Sequence, residues 1–217
     1  GGNLDNFRKG FKRIKLPAVL VTNTAESLGF DNLSSVTTDD QSASERAVEY
    51  LVSMGHEKIG VIGGSCEASN ISNTRMKGVL AVLGAHGLGF DPELQFEQAR
   101  YSFESAYRAA HRLLEKNPGI TAVFAMSDVM AIGAMRAMTD RGLRIPHDIS
   151  IAGYDGIELV DYYNPKLTTI RQLQDELAKN GVDILLKQIE RNAAPLHKVL
   201  SYELVEGESV KPSGKVV

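Results

Sequence analysis

The chain has 217 residues, of which 43% are apolar and 24% are charged, and its formal net charge at pH 7 is −3. This composition excludes disordered, collagen-like and coiled-coil proteins, and it is enough for one sizeable core or two smaller ones. The basic residues are scattered along the chain, which excludes a cationic stripe of the kind that grips nucleic acid.

Cysteine content and hydropathy indicate where the protein works. The single cysteine, Cys66, excludes an intramolecular disulfide and is typical of a reducing compartment, so we expect a cytoplasmic protein. The apolar runs are far shorter than the roughly 20 residues of a membrane span, and no secretory signal is visible. Because the chain starts at Gly1 without an opening strand, we expect it to begin partway through a longer gene product.

Helical and strand-like periods of apolar residues alternate along the whole chain. In order, the pattern predicts a helix over 7–14, a strand over 17–21, a helix over 47–54, a strand over 58–64, a helix over 76–83, a strand over 94–98, a helix over 103–114, a strand over 121–126, a helix over 129–141, strands over 148–154 and 167–172, a helix over 175–189 and a strand over 199–205. This alternation predicts mostly parallel sheets with helices on both faces. The last residues, 209–217, are predicted to be frayed.

Ligands of such sheets bind beyond the carboxyl ends of the strands. The polar residues that directly follow predicted strands are therefore candidates for a binding site, and they are Asn23, Ser65, Ser127, Asp128 and Asp155. Their shared topological position carries more information than any one of them alone.

Enzyme signatures are missing from the sequence. There is no phosphate-binding loop, dinucleotide fingerprint or nucleophile elbow. The five histidines are widely separated, so no metal site is expected. The glycines at 63 and 64 are more typical of a turn than of a phosphate cradle, and Cys66 is predicted to be a buried or half-buried small side chain. A binding domain without catalytic residues or a cofactor remains, and a sugar-like ligand would need acceptors, a forked donor and an aromatic face.

Five motifs follow one another in a characteristic order: LVSMGHEKI at 51–59 with IGG at 62–64, RMKG at 75–78, FAMSDVMAIGA at 124–134, GLRIPHDISIAGYD at 142–155 and PKLTTIRQ at 165–172. Together they resemble the effector-binding domain of LacI/GalR-family bacterial transcription regulators. The resemblance covers nearly the whole chain.

The resemblance implies an α/β fold with two doubly wound parallel-sheet subdomains of the periplasmic-binding-protein-like type and a ligand cleft between them. It places residues 1–56 plus 168–196 in an incomplete N-terminal subdomain, 57–166 plus 197–210 in the C-terminal subdomain, and 211–217 in a tail. Crossings between the subdomains are expected near Glu57, Leu167 and His197. Family members begin with a DNA-binding headpiece and about three further strands that this chain lacks, so we do not expect this polypeptide to bind operator DNA by itself.

Six ligand contacts are implied by the same resemblance, five of them with an alternative. The contacts are Asp39, or else a helix N-cap; Arg75, or else a surface ion pair; Tyr101, or else loop packing; Ser127, where many members carry Asn or Asp; Asp155, or else a turn residue; and Gln172, or else a contact to a hinge water only. Asp128 is expected to cap the helix that starts at Val129. Asp40 adds a second negative charge, which disfavours an anionic effector unless Arg75 offsets it.

The resemblance also implies a homodimer. Its interface would use the helix after Ser127 and the loop before Pro165, and the residues presented there are Ile132, Met135, Arg136, Tyr162 and Tyr163. Methionine at helical spacing is more often part of a plain core.

We therefore predict the effector-sensing and dimerisation domain of a LacI-type regulator, which binds a small metabolite such as a sugar and has no membrane partner. Operator DNA would be bound only through a headpiece absent from this chain. Two rival functions stay open at this point: a solute-binding protein of a transporter, and a small-molecule enzyme on a doubly wound sheet.

Overall fold

The structure, a computed structural model, describes residues 4–67 and 70–214. The helices are α1 (Leu4–Phe11), α2 (Asp40–Ser53), α3 (Asn70–Ala85), α4 (Pro92–Gln95), α5 (Phe103–Lys116), α6 (Asp128–Asp140) and α7 (Gln174–Arg191). The strands are β1 (Ala18–Val21), β2 (Leu33–Thr38), β3 (Ile59–Gly63), β4 (Phe96–Gln98), β5 (Ala122–Ala125), β6 (Ser150–Asp155), β7 (Thr168–Gln172), β8 (His197–Leu200) and β9 (Tyr202–Val205). Short 3-10 turns lie at Glu26–Leu28 and Glu158–Asp161.

The strands form two sheets. The larger sheet has the order β4-β3-β5-β6-β7-β9, in which every pair is parallel except β7 with β9. The smaller sheet has the order β1-β2-β8 and is parallel throughout. The predicted α/β class with mostly parallel sheets is confirmed.

Each sheet has its own apolar core. The larger core is continuous from the buried face of α2 to the interior of the larger sheet, where Leu51, Phe124 and Tyr154 are fully buried. The smaller sheet is covered on one side by a cluster that contains Phe11 and Leu33, and on the other by α7. The chain therefore carries one large core in the larger sheet and two small apolar clusters, one on each face of the smaller sheet.

The pattern of apolar residues missed one strand. β2 reads LSSVTT, so only Leu33 and Val36 indicate burial, yet all six residues are buried as the central strand of the smaller sheet. Burial is possible because the serine hydroxyls find partners: Ser34 Oγ donates to Gln188 Oε1 at 3.0 Å, and Ser35 Oγ lies 2.9 Å from His197 Nδ1. Those partners come from elements far along the chain, where local periodicity carries no signal.

The chain passes between the sheets at different places from those predicted. α2 packs on the larger sheet and β7 pairs with β6 and β9, although both were assigned to the N-terminal subdomain. β8 pairs with β2, and the strand predicted over 199–205 is two strands in different sheets, divided at Ser201. The connections between the sheets therefore lie after Thr38, after Gln172 and at Ser201. The prediction placed them elsewhere because an amphipathic pattern shows that a segment is buried without showing which sheet buries it.

Two smaller predictions also differ from the structure. The strand predicted over 94–98 begins only at Phe96, after the short helix α4. The segment predicted to be frayed is fixed up to residue 213, since Ser209 is fully buried and Ser213 N donates to the Met54 carbonyl at 2.7 Å. Residues 215–217 of the predicted tail, and 1–3 of the predicted N-terminal subdomain, lie outside the described residues.

Among residues 4–67 and 70–214, no helix has the length and apolar character needed to cross a membrane.

Candidate functional site

A cavity of about 330 Å³ opens where elements of the two sheets meet. Its wall consists of Thr22 and Asn23 after β1, Ile71 and Arg75 of α3, Tyr101, Asp155 and Ile157 at the end of β6, Gln172 at the end of β7, and Gln174 and Leu177 of α7. The wall residues at the ends of β1, β6 and β7 lie at the carboxyl ends of parallel strands, which is where such sheets bind ligands. We refer to this cavity as the cleft.

Arg75 lies at the base of the cleft with its guanidinium held on several sides. Its Nε donates to Asp40 Oδ1 at 2.8 Å, its Nη1 donates to the Met126 carbonyl, and its Nη2 lies 3.8 Å from Asp155 Oδ1. The Tyr154 ring covers one face, with 3.5 Å between Cζ and the ring centroid. Burial acts to lower the pKa of Arg75, but the nearby carboxylates, Asp40 first, outweigh it and raise the pKa. Arg75 is a fixed cation.

Asp155 connects the two sheets through a side-chain relay. Gln172 Nε2 donates to Asp155 Oδ1 at 2.9 Å, and Thr38 Oγ1 donates to Gln172 Oε1 at 3.1 Å. Thr38 ends β2 of the smaller sheet, whereas the other two residues end strands of the larger sheet. Burial raises the pKa of Asp155, although Arg75 and the Gln172 amide act in the opposite direction.

Two residues of the cleft wall have left-handed backbones that favour glycine. Asp155 has a φ of +118° and Thr22 a φ of +68°. A non-glycine residue in such a region costs about 1–3 kcal/mol and is kept where the surrounding structure imposes it, often at binding sites. The conformation at Asp155 ends β6 and places the side chain in reach of both Gln172 and Arg75.

Tyr101 supplies the aromatic surface of the cleft. Its hydroxyl lies 3.0 Å from Ser72 Oγ, and the residue is 38% exposed. Gly64 makes room for the ring, because a Cβ there would lie 2.9 Å from Tyr101 Cε2. With Ile71, Ile157 and Leu177 nearby in the wall, the cleft combines an apolar surface with a few fixed polar groups, as small-molecule sites do.

The structure brings four of the six predicted ligand contacts into the cleft and leaves two outside it. Arg75, Tyr101, Asp155 and Gln172 line the cleft. Asp39 lines a neighbouring cavity of about 210 Å³, and its Oδ1 accepts the Ser42 N–H at 3.1 Å as the N-cap of α2. Ser127 is 2% exposed, and its Oγ accepts the Met130 N–H at 3.2 Å as the N-cap of α6.

The N-cap role of Asp39 gives a stability prediction. Asp39→Ala is expected to lower the free energy of unfolding by about 1 kcal/mol, while Asp39→Asn keeps most of it, because an asparagine oxygen also accepts the Ser42 N–H. Urea unfolding of the two variants measures this. Equal losses in both would show that the charge of Asp39, and not its capping geometry, is what stabilises the protein.

Asp128 has a different role from the predicted helix cap, which Ser127 provides instead. Asp128 is fully buried; its Oδ1 accepts the Thr169 hydroxyl at 2.5 Å and its Oδ2 accepts the Ile157 N–H at 2.9 Å. Burial raises the pKa of Asp128 to about 7, against the effect of these two hydrogen bonds. The carboxyl thus fixes Ile157, a residue of the cleft wall, and the only sequence signal for it is its position after a strand.

The raised pKa of Asp128 predicts a pH dependence of stability. Because the folded state binds this proton more tightly than the unfolded state, the contribution is favourable below about pH 4 and is lost as pH rises through about 7, with a slope of at most about 1.4 kcal/mol per pH unit. Subtracting the unfolding free energy of Asp128→Asn from that of the wild type at pH 4.5 to 7.5 should isolate a falling difference. Asp161→Asn is the control, since Lys166 and Arg171 lower the pKa of Asp161. A difference for Asp128 that stays flat or rises would contradict the assignment.

The predicted dimer residues fall into two groups. Ile132 and Met135 are 7% and 2% exposed and belong to the larger core, because α5 packs against α6; they are covered within the chain, contrary to the prediction. Arg136 is exposed and its Nη2 pairs with Asp140 Oδ1 at 2.8 Å. Tyr162 is 80% exposed, and Tyr163 is partly buried against the core.

No cluster of three or more His, Cys, Asp or Glu side chains that could hold a metal ion occurs in the part of the chain that the structure describes. Cys66 is half-buried, and burial raises the pKa of its thiol.

Comparison with known proteins identifies the fold family. The sequence profile of the family described as "Periplasmic binding protein-like domain" matches residues 48–210. The chain belongs to this family. The chain is 36% identical over 211 residues to the HTH-type transcriptional regulator MalR of Clostridium butyricum, and the match covers 96% of the chain and 62% of MalR.

Solved structures of LacI-family regulators share this domain. A LacI-family regulator of Enterococcus faecium with bound ribose has a TM-score of 0.84 and 29% identity, covering 96% of this chain and 76% of that one. CcpA of Lactococcus lactis has a TM-score of 0.85 and 27% identity, covering 95% of this chain and 74% of that one. The predicted resemblance to LacI/GalR-family regulators is confirmed, and the chain spans less than two thirds of the length of MalR.

Proposed function

We propose that this chain is the effector-sensing domain of a LacI-type transcriptional regulator and binds a sugar-like metabolite in the cleft. The observation that carries the proposal is the convergence of Arg75, Tyr101, Asp155 and Gln172 on one cavity. These side chains supply a guanidinium donor at Arg75 Nη2, an aromatic face and hydroxyl acceptors, which are the groups that a polyhydroxylated ligand requires. The ribose bound by the similar regulator of Enterococcus faecium supports the ligand class.

The relay from Thr38 through Gln172 to Asp155 suggests how binding is transmitted. A ligand that hydrogen-bonds Gln172 or Asp155 competes with bonds that join the end of β2 to the larger sheet. It therefore binds one relative orientation of the two sheets better than another, and this difference, typically about 1–3 kcal/mol, is the coupling free energy. In the whole regulator it would alter operator affinity through a DNA-binding headpiece outside this chain.

The remaining parts of the proposal concern the whole protein. We place it in the cytoplasm as a homodimer, with Arg136, Tyr162 and Tyr163 as exposed or partly exposed candidates for the interface. Asp39 and Ser127 each cap a helix in this structure. They remain proposed ligand contacts on the condition that the two sheets move relative to each other and bring their side chains into the cleft. The similar proteins MalR, CytR and CcpA are transcriptional regulators, which favours ligand sensing over solute transport or catalysis for this chain.

A thermal-unfolding screen tests the proposal. The purified protein is heated with pentoses, hexoses, disaccharides, nucleosides and purine bases, and a ligand at 100 times its Kd should add about 2.7 kcal/mol of stability. Asp155→Asn should abolish the shift, whereas Asp183→Asn, an exposed carboxylate of α7, should keep it. A shift that survives in Asp155→Asn would reject the cleft as the site, and chemical conversion of the bound compound would favour an enzyme.

A further inference from the structure

The side chain of Asp40 is placed to control what Arg75 can bind. Asp40 is the first residue of α2, where a carboxylate is favoured by the helix dipole, and its side chain is 13% exposed. It accepts the Arg75 Nε–H at 2.8 Å, on the guanidinium edge that a ligand carboxylate would otherwise use for a two-point contact. The Met126 carbonyl occupies Nη1 and the Tyr154 ring covers one face of the guanidinium. Arg75 is thus an occupied cation and not an open anion site.

The charges around the cleft also disfavour an anionic ligand. Among the described residues of its wall, Arg75 is the only cation and Asp155 the only carboxylate. Asp40, paired with Arg75 from outside that wall, adds a second carboxylate, so the three ionised groups sum to one negative charge. A ligand carboxylate would compete with Asp40 and lie against Asp155, whereas a hydroxyl can accept from Arg75 Nη2 and donate to Asp155 at the same time.

We infer that Asp40 is a specificity-determining residue: by holding Arg75, it makes the cleft select neutral sugars over sugars of the same shape that carry a carboxylate. The inference rests on the proposed sugar-binding function and deepens it by naming the charge class of the ligand. It assigns to Asp40 a role that acts through Arg75 and requires no direct contact between Asp40 and the ligand.

Matched ligand pairs test this inference. Glucose with glucuronate and galactose with galacturonate differ at one carbon, and calorimetry or thermal unfolding gives the ratio of the two affinities within each pair. The wild type should bind the neutral member of any bound pair more tightly. Asp40→Asn should shift the ratio toward the acid by at least about tenfold, because the freed guanidinium can form a charge-assisted contact with it. Asp40→Glu keeps the charge and should keep the preference for the neutral sugar.

Asp175→Asn is the matched control, because it removes one exposed carboxylate next in sequence to Gln174 of the cleft wall without touching Arg75, and it should leave the ratio within about twofold. A wild type that binds the acid at least as tightly as the neutral sugar overturns the inference, and this comparison needs no folded variant. An unchanged ratio in Asp40→Asn, or an equal shift in Asp175→Asn, also overturns it while sugar sensing stands. Failure of the wild type to bind any neutral or acidic sugar rejects the proposed function itself.

Discussion

Replacing Arg75 with methionine is expected to lower the free energy of unfolding by about 3–5 kcal/mol. The change leaves Asp40 and Asp155 without their shared counter-charge and removes the donor to the Met126 carbonyl, all in a region where Arg75 is only 4% exposed. Because the Asp40 side chain is only 13% exposed, solvation compensates incompletely for the loss of its partner. Urea unfolding at pH 7, with the slope compared between variants, measures the loss.

Arg171→Met is the control for this experiment. Arg171 also pairs with a carboxylate, since its Nη2 lies 3.0 Å from Asp161 Oδ2, but both side chains are one-third exposed. An exposed pair contributes about 0–1 kcal/mol, so the control should be nearly as stable as the wild type. Equal losses in Arg75→Met and Arg171→Met would show that the buried ion pair does not stabilise the folded state as described.

Phe124→Ala is expected to cost about 3–5 kcal/mol. Phe124 is fully buried in β5, paired between Val61 of β3 and Ala152 of β6 at the centre of the larger sheet. Truncation removes apolar contacts and leaves a cavity that the neighbouring strands fill poorly, because they are fixed by their own ladders. Chemical unfolding gives the magnitude, and far-UV circular dichroism shows whether the remaining fold is native.

Phe103→Ala is the control for the Phe124→Ala variant. Phe103 begins α5 and is 48% exposed, so its truncation should cost about 1 kcal/mol or less. If the two phenylalanine variants lost similar stability, the centre of the larger sheet would not be the main core. Both experiments concern the framework that positions the cleft, because β5 leads directly to the Met126 carbonyl that holds Arg75.

Local periodicity in the sequence was sufficient for most elements of the larger sheet. The apolar runs of β3, β5 and β6 are buried on both faces, and the intervening helices carry one apolar side, so each element indicates its own type. β2 shows the limit of this reasoning. Its serines Ser34 and Ser35 are buried with partners on α7 and β8 that lie more than 150 residues away, so a local window of sequence does not contain those partners.

The predicted site residues also divide into those that the sequence could identify and those whose role only the structure shows. The family resemblance implied Arg75, Tyr101, Asp155 and Gln172 as ligand contacts, and of these only Asp155 also followed from the rule about strand ends. Only the tertiary structure showed that Asp39 and Ser127 cap helices and that Ile132 and Met135 are core residues. A cap and a ligand contact require the same side chains at the same helix starts, so the sequence cannot separate them.

What the sequence by itself determined is therefore the class of the fold, the family resemblance and the chemical types that surround the cleft. What the tertiary structure decided is how those charges are shared. Asp40 and Arg75 are 35 residues apart and belong to different helices, and their 2.8 Å contact depends on the packing of α2 against α3. Asp128 likewise reaches Thr169 across 41 residues. Electrostatic pairing depends on distance and burial in three dimensions, and neither is a local property of the chain.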